Sequence, residues 1–207
     1  MKRSKSSHRW LQEHHNDPYV KLARASGYRS RAAFKLEALQ RKYHLVKVSN
    51  TVVDLGAAPG GWSQLLVDWV GENGRVVALD LLPIQPLIGV ECIRGDFSDP
   101  IVLEQLLTSL GDKKIDVVCS DIAPNMSGVK AVDQAKGMYL VELVVDFVKH
   151  YLATNGTMAI KVFQGEGFDA CVLSIRKMFK KVIIQKPDAS RGRSREVYIL
   201  GLNKLEG

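Results

Sequence analysis

The chain has 207 residues, of which 46% are hydrophobic and 25% are charged, a composition typical of a soluble globular protein with one sizeable core. Its apolar stretches are interrupted by charges, as Leu140–Val148 is by Glu142 and Asp146, so no membrane span is predicted. Residues 1–20 are basic and polar, which predicts that no secretory signal is present.

The net charge of +7 is concentrated at the N-terminal end of the chain. Residues 1–47 contain twelve lysines and arginines against three acidic residues, whereas the remainder has seventeen against nineteen. A second small basic cluster consists of Lys186, Arg191, Arg193 and Arg195. A focused positive face attracts polyanions, so this distribution favours a nucleic-acid partner over a solvated terminal tail. Membrane binding is disfavoured because the basic stretch lacks a sizeable apolar face.

The three cysteines give no indication of function. Cys92, Cys119 and Cys171 are scattered without CxxC spacing and lie among apolar residues. This pattern predicts buried, reduced thiols, as in a cytoplasmic protein, and neither a disulfide framework nor a zinc site.

The first predicted element is a helix from about Ser30 to Tyr43. Its apolar residues recur with the helical period of about 3.6 residues, and Ser30 is the predicted N-cap. Lys35 lies at the edge of the apolar face, where its stem can pack while the ammonium group reaches a neighbouring cleft. Residues 1–17, which precede the helix, are polar and irregular.

From residue 51 onward, apolar strands alternate with amphipathic helices. The predicted strands are Thr51–Leu55, Arg75–Leu79, Glu91–Arg94, Ile115–Ser120, Thr157–Phe163, Val182–Gln185 and Glu196–Leu202. The predicted helices between the first five strands are Gln64–Val70, Leu81–Ile88, Val102–Leu110 and Lys136–Leu152. Helical crossovers between apolar strands predict an α/β fold with a Rossmann-like sheet of seven strands, mostly parallel, and helices on both faces. The short loop between the last two strands predicts a C-terminal antiparallel hairpin.

A glycine-rich turn joins the first predicted strand to the next helix, in the sequence Asp-Leu-Gly-Ala-Ala-Pro-Gly-Gly-Trp at residues 54–62. Glycines allow a ligand to approach the backbone, and a helix N-terminus offers free N–H groups to an anion. A dinucleotide-binding loop would carry glycine where Ala58 stands, and Pro59 lacks a donor. The loop therefore fits the methionine end of S-adenosylmethionine, which has a carboxylate and no phosphate. A tight structural turn is the alternative.

Acidic residues stand at the carboxyl ends of the next three strands. Asp80 is placed to accept both ribose hydroxyls of a nucleoside, and Asp96 to accept from an adenine amino group with Phe97 nearby. Asp121 ends the fourth strand. Ligands of open α/β sheets bind at these strand ends. Any single aspartate there is typical of a turn or helix cap, but the recurrence favours a ligand site.

Lys161 lies inside the apolar fifth strand, in Met-Ala-Ile-Lys-Val-Phe at residues 158–163. An unpaired amine there would be costly to desolvate. A lysine that reaches solvent from an edge strand is the alternative, but this strand is expected at the centre of the sheet.

These motifs together resemble the FtsJ/RlmE family of ribosomal RNA 2′-O-methyltransferases, over nearly the whole chain. The matching segments are residues 9–11, 13–14, 17–21, 27–36, 56–62, 121–128, 161–165 and 194–196. The resemblance implies a catalytic tetrad of Lys35, Asp121, Lys161 and Glu196.

The resemblance also implies S-adenosylmethionine as the cofactor, with S-adenosylhomocysteine as the product and no metal. The residues predicted to bind it are Gly56, Pro59, Gly60, Gly61, Trp62, Asp80, Leu81, Asp96, Phe97 and Asp121. The implied substrate is the ribose of a uridine in 23S ribosomal RNA. This RNA would be methylated either as free RNA or within a large-subunit particle. The expected organisation is a basic RNA-contacting segment (residues 1–30) and one methyltransferase domain (residues 31–207), in a cytoplasmic monomer.

In the predicted mechanism, Lys161 accepts the proton of the 2′-hydroxyl group, and Asp121 orients Lys161. Lys35 and Glu196 hold the ribose. Three alternatives stay open at this point. The first is a base-modifying methyltransferase, in which an aromatic residue would be expected where Asn125 stands. The second is a nicotinamide-dependent oxidoreductase, and the third is an RNA-binding module without catalysis.

Overall fold

The computed structural model describes residues 17–206, which form seven strands and six helices. The sequence features predicted for residues 1–16 lie outside the described residues, as does residue 207. The strands are β1 (Thr51–Leu55), β2 (Arg75–Asp80), β3 (Val90–Arg94), β4 (Ile115–Ser120), β5 (Leu152–Phe163), β6 (Phe179–Gln185) and β7 (Glu196–Lys204). The helices are α1 (Pro18–Ala25), α2 (Ala33–Tyr43), α3 (Gly61–Val70), α4 (Pro100–Leu110), α5 (Lys130–Tyr151) and α6 (Phe168–Arg176).

All seven strands belong to one sheet with the order β3-β2-β1-β4-β5-β7-β6. The pairs from β3 to β5 are parallel, whereas β7 is antiparallel to both β5 and β6. The chain runs outward from β1 to β3 and then crosses to β4 on the other side of β1. Ligands of open α/β sheets bind at such a switch point. The predicted fold class, a Rossmann-like sheet with a C-terminal antiparallel hairpin, is confirmed.

Helices cover both faces of the sheet because successive residues of a strand point to opposite sides. Every residue of β1 is buried. Val53 and Leu55 join the apolar cluster that includes residues of α4, α5 and α6, whereas Val52 joins the cluster that includes residues of α2 and α3. None of the helices in residues 17–206 is long and apolar enough to cross a membrane.

The helix predicted over Leu81–Ile88 is wrong. This segment, residues 81–88, is an irregular connection between β2 and β3, and Ile88 is 99% exposed. Pro83 and Pro86 account for the difference. Each lacks a backbone N–H group, and each disfavours the helical conformation of the residue before it. The apolar spacing of the segment was therefore not a helical signal.

Two helices were not predicted, although the sequence contains signals for both. Helix α1 begins at Pro18, and the Asp17 side chain caps it by accepting a 3.0 Å hydrogen bond from the Tyr19 N–H group. An aspartate followed by proline is a typical helix start. Helix α6 buries Phe168, Cys171, Val172 and Ile175, whose spacing is that of one helical face.

Several boundaries also differ from the prediction. Helix α2 begins at Ala33, its N-cap position is Ala32 and not Ser30, and no side chain caps it. Helix α5 begins earlier than predicted, at Lys130, and β5 begins earlier, at Leu152. Cys92 is exposed, contrary to the prediction of a buried thiol, because β3 is the edge strand of the sheet.

Candidate active site

The four residues of the predicted tetrad come together from four separate elements. Lys35 lies in α2, Asp121 follows β4, Lys161 lies in β5 and Glu196 begins β7. They form two ion pairs. Lys161 Nζ is 3.0 Å from Asp121 Oδ1, and Lys35 Nζ is 2.6 Å from Glu196 Oε1. Lys161 Nζ also donates a 2.6 Å hydrogen bond to the Asp121 carbonyl oxygen. The Lys161 side chain is only 7% exposed, so this pairing satisfies an otherwise unfavourable buried charge.

The charges around Asp121 keep its carboxyl group ionised. Burial opposes ionisation, but the Lys161 and Lys35 ammonium groups and the hydrogen bond from Tyr198 outweigh it, so the pKa of Asp121 is lowered. The Tyr198 hydroxyl group donates to Asp121 Oδ1 at 2.6 Å. Burial raises the pKa of Tyr198 well above its usual value, and the negative charges of Asp121 and Glu196 add to the effect. Tyr198 therefore stays protonated and donates its hydrogen bond to the ionised carboxylate of Asp121.

The glycine-rich loop lies beside this cluster, because Asp121 and the loop follow the adjacent strands β4 and β1. Gly56 has φ +74°, and a Cβ atom at this position would lie 2.6 Å from Ile122 Cα. A Cβ atom at Gly61 would lie 2.3 Å from Ser30 Oγ. Position 56 therefore requires glycine because of backbone contacts within the protein itself, whereas a side chain at position 61 would displace the Ser30 hydroxyl group.

Two of the strand-end aspartates already organise the backbone around them. Asp80 Oδ2 accepts a 2.9 Å hydrogen bond from the Ala58 N–H group, and Oδ1 accepts a 2.7 Å bond from the Leu82 N–H group. Asp80 thus ties the glycine loop to the connection after β2. Asp96 is exposed, and its Oδ1 accepts from both the N–H and hydroxyl groups of Ser98, which lowers the pKa of Asp96.

The apolar residues predicted at the cofactor site occupy different environments. Trp62 is buried, and its Nε1 donates a 2.8 Å hydrogen bond to the Ala32 carbonyl oxygen. Phe97 is also buried, with its ring centroid 5.6 Å from that of Phe147 in the core. Leu81 is 56% exposed. Core contacts therefore fix Trp62 and Phe97, whereas Leu81 offers an exposed apolar surface.

A cleft of about 590 Å³ opens beside the tetrad, is lined by its members Lys35 and Glu196, and is rich in cations. Its lining residues are Arg31, Lys35, Ala123, Met126, Phe163, Arg191, Arg193, Ser194 and Glu196. The Asp17 carboxylate holds the two sides of the cleft together by pairing with Arg31 and with Arg191 Nε, the latter at 3.5 Å. A larger cavity of about 780 Å³ lies between α1, α2 and residues 185–189, and no tetrad residue lines it.

The first turn of α5 fixes two loops that border this cleft. Asp133 Oδ1 accepts hydrogen bonds from both the N–H and the hydroxyl group of Ser127, each at 2.7 Å. Gln134 Nε2 donates to the Phe163 carbonyl oxygen at 3.3 Å. Met126, next to Ser127, is 67% exposed, so the cleft presents apolar side chains beside its cations.

The sequence model of the FtsJ-like methyltransferases matches residues 28–204. This chain belongs to the FtsJ-like methyltransferase family. The matched range contains the glycine loop, the strand-end aspartates and all four tetrad residues. An FtsJ-like methyltransferase is an enzyme, so the family disfavours both the oxidoreductase and the non-catalytic RNA-binding module.

Solved structures agree with the fold of this FtsJ-like methyltransferase. A protein from Plasmodium falciparum assigned as a ribosomal RNA methyltransferase is 28% identical, with a TM-score of 0.74 over 87% of this chain and 100% of that chain. Fibrillarin from Aeropyrum pernix, in complex with S-adenosyl-L-methionine, is 17% identical, with a TM-score of 0.60 over 84% of this chain and 75% of that chain. The second similarity shows the fold alone.

The FtsJ-like site contains a buried aspartate that the sequence reasoning missed. Asp54 in β1 is fully buried, and its Oδ2 accepts a 2.6 Å hydrogen bond from Ser63 Oγ. Its Oδ1 has no hydrogen-bond partner among residues 17–206. Burial raises the pKa of Asp54 to about 7, and the charges of Asp121 and Asp80 contribute. The signal was a single acid inside an apolar strand, which is the same type of signal that identified Lys161.

Tyr198 was missed as well. It lies two residues after Glu196, so both side chains are on the same face of β7, and it is the register partner of Lys161 across the β5–β7 pair. The available signal in the sequence was a residue with a hydroxyl group two positions after Glu196, a member of the predicted tetrad. Pairing of β7 with β5 was needed to place it against Asp121.

Proposed function

We propose that this FtsJ-like methyltransferase transfers a methyl group from S-adenosylmethionine to the 2′-oxygen of a ribose in ribosomal RNA. Its proposed target is a uridine of 23S RNA in the large ribosomal subunit, and the enzyme acts as a cytoplasmic monomer. The observation that carries the proposal is the ion pair of the buried Lys161 with Asp121, next to a cationic cleft that Lys35 and Glu196 line. The family supports methyl transfer, and the similarity to a protein assigned as a ribosomal RNA methyltransferase supports the choice of RNA.

The residues around the glycine loop fit S-adenosylmethionine, which carries positive charges on its sulfonium and ammonium groups. After burial, the negative charges of Asp121 and Asp80 both raise the pKa of Asp54, so each of these two carboxylates lies within electrostatic range of Asp54. A cationic ligand relieves this repulsion. Asp80 and Asp96 would hold the nucleoside, and the backbone of residues 56–61 would approach the methionine end. When bound, the cofactor supplies a methyl group already activated on sulfur.

The cleft beside the tetrad fits a polyanion with an accessible ribose. Arg191 and Arg193 are placed to contact phosphates, since guanidinium groups bind phosphate oxygens with matched geometry, whereas Arg31 is held by the Asp17 carboxylate and the Ala189 carbonyl oxygen. Phe163 and Met126 add apolar surface for a base, as in proteins that bind unpaired nucleotides. This combination favours an RNA substrate whose target nucleotide is unstacked.

In the proposed mechanism, the proton of the 2′-hydroxyl group passes to Lys161 Nζ as the oxygen takes the methyl group. Lys161 must first lose one proton, and its Nζ contacts two oxygens of Asp121, the carboxylate Oδ1 and the carbonyl oxygen. Those same contacts fix the direction of the remaining lone pair. The Lys35–Glu196 pair borders the cleft and would hold the ribose hydroxyl groups. Alignment of the reacting atoms is expected to supply much of the rate, because orientation alone can contribute several kcal/mol.

Base methylation is the remaining alternative, and mass spectrometry of digested RNA tests it directly. Purified enzyme is incubated with S-adenosylmethionine and either free 23S RNA or large-subunit particles lacking the modification. We expect 2′-O-methyluridine after nucleoside digestion, and Lys161→Ala enzyme is the control for contaminating activity. A methyl group on a base would refute the ribose assignment. A methylated ribose on cytidine, adenosine or guanosine would refute only the uridine assignment.

A further inference from the structure

Arg29 joins two chain segments at the proposed cofactor site. Its Nη1 donates hydrogen bonds to the carbonyl oxygens of Pro59 at 3.2 Å and Gln85 at 2.6 Å, and its Nη2 donates to Pro86 at 2.9 Å. Pro59 belongs to the glycine loop after β1, whereas Gln85 and Pro86 belong to the connection after β2. One planar guanidinium group therefore spans the loops at the carboxyl ends of two adjacent strands.

From this geometry we infer that Arg29 is a positioning residue, which sets the separation of the two loops between which the cofactor binds. The inference rests on the proposed S-adenosylmethionine site. Arg29 acts through the backbone of residues 59, 85 and 86, and no contact between Arg29 and the cofactor is required.

The connection after β2 needs an external donor because of its own sequence. Pro83 and Pro86 have no N–H groups, which prevents the helical hydrogen bonds that the apolar spacing suggested. The carbonyl oxygens of Gln85 and Pro86 instead receive the two arms of Arg29. A guanidinium group presents its donors in one rigid plane, so it can fix several acceptors at once, whereas a lysine ammonium group is a single flexible point.

The base of Arg29 is anchored, so the side chain reaches the loops from a fixed origin. The Arg29 N–H group donates to Gln64 Oε1 in α3 at 3.2 Å, and Gln64 Nε2 donates to the Gly27 carbonyl oxygen at 3.0 Å. Helix α3 starts directly after the glycine loop. The loop, the start of α3 and the segment that carries Arg29 therefore form one hydrogen-bonded unit.

Packing around Arg29 also explains why residue 60 is glycine. A Cβ atom on Gly60 would lie 3.0 Å from Arg29 Nη1 and 3.2 Å from Leu87 Cδ1, and its φ of +102° is strained for other residues. Gly60 therefore accommodates the arginine on one side of the loop, independently of any ligand on the other.

Three variants test the inference. Arg29→Met removes the three hydrogen bonds and keeps an unbranched stem, and Arg29→Lys keeps the charge without the planar donors. Arg75→Met is the matched control. Arg75 likewise joins separate chain segments, by hydrogen bonds to the Glu91 carboxylate and the Ser109 carbonyl oxygen. It lies at the amino end of β2, whereas the two loops lie at the carboxyl ends of the strands.

The first measurement is hydrogen exchange on the cofactor-free proteins. Amides in residues 81–88 are expected to exchange faster in Arg29→Met than in wild type and in Arg75→Met. The second measurement is calorimetry with S-adenosylhomocysteine in the absence of RNA. We expect about tenfold weaker binding for Arg29→Met, equivalent to about 1.4 kcal/mol, an intermediate loss for Arg29→Lys, and wild-type affinity for Arg75→Met.

Steady-state kinetics separates positioning from general destabilisation. Arg29→Met should raise the KM for S-adenosylmethionine while the kcat at saturating cofactor and the KM for RNA stay near wild type, because only cofactor binding is lost. Unchanged exchange and unchanged affinity in Arg29→Met would overturn the inference, and so would an equal loss of affinity in Arg75→Met. If wild type bound no S-adenosylhomocysteine, the proposed cofactor would be wrong, while the exchange experiment would still decide whether Arg29 holds the loops.

Discussion

Replacement of Lys161 by methionine is expected to abolish methyl transfer and also to destabilise the protein. An amine without a partner in an apolar strand would be costly to desolvate, and its removal would cost little stability. The structure shows the reverse situation. Lys161 is the nearest cation to the buried carboxylate of Asp121, at 3.0 Å, and it also satisfies the Asp121 carbonyl oxygen at 2.6 Å.

The magnitude follows from what remains around Asp121. Breaking a buried ion pair by removing one partner typically costs about 3–5 kcal/mol. The Asp121 side chain is 18% exposed and keeps the Tyr198 hydrogen bond, and Lys35 remains in electrostatic range. These contacts reduce the penalty, so we expect Lys161→Met to lower the free energy of unfolding by about 2–3 kcal/mol.

A double-mutant cycle measures the interaction. Asp121→Asn removes the charge that Lys161→Met leaves unpaired, so the double variant should be more stable than the two single effects predict, with a coupling energy of about 2 kcal/mol. Denaturant unfolding near neutral pH supplies the four stabilities. Additive effects, or a Lys161→Met variant as stable as wild type, would refute the claim that this pair is energetically important in the folded protein.

Single-turnover methylation across pH tests the chemical role of the same lysine. General-base catalysis by an amine predicts a wild-type rate that rises with pH, and Lys161→Arg should be nearly inactive because a guanidinium group stays protonated. If Lys161→Arg kept the wild-type rate and pH profile, Lys161 would be an electrostatic positioner and the proton would go to another group or to water.

Three further predictions address the cofactor and the RNA. Asp54 binds its proton more tightly when folded, so its contribution to stability is lost as pH rises toward 7. The stability of Asp54→Asn minus that of wild type, measured by thermal unfolding, should therefore be greater at pH 8 than at pH 5. A difference that does not change with pH would contradict the raised pKa of Asp54. Asp80→Ala should weaken S-adenosylhomocysteine binding about tenfold in calorimetry, as expected for a lost hydrogen bond to a charged acceptor; unchanged affinity would remove Asp80 from the site. Deleting residues 2–16 should weaken RNA binding and flatten its salt dependence while cofactor affinity stays intact, because it removes four basic side chains against one acidic. This deletion spares Asp17, the cap of α1, and an unaltered salt slope would mean that the removed charges do not contact phosphate.

The sequence determined the architecture because the fold depends on local patterns. Apolar runs of strand length, separated by amphipathic stretches, fixed a mostly parallel sheet, and the short loop before β7 fixed its reversal. The same logic located the acids at the strand ends and the lysine in β5. It failed over Leu81–Ile88, where two prolines override the periodicity, and over α6, where a clear helical spacing was overlooked.

Tertiary structure decided which side chains meet. No periodicity indicates that Tyr198 contacts Asp121, 77 residues earlier, or that Arg29 reaches the carbonyl oxygens of Gln85 and Pro86. The division of the tetrad into two ion pairs likewise depends on tertiary structure. Strand β7 must lie beside β5, and α2 must pack on the face of the sheet that carries Tyr198. These contacts join residues far apart in the chain, and their geometry exists only after the strands have paired. The sequence therefore specified the chemical groups of the site, and the packing of the sheet specified their partners.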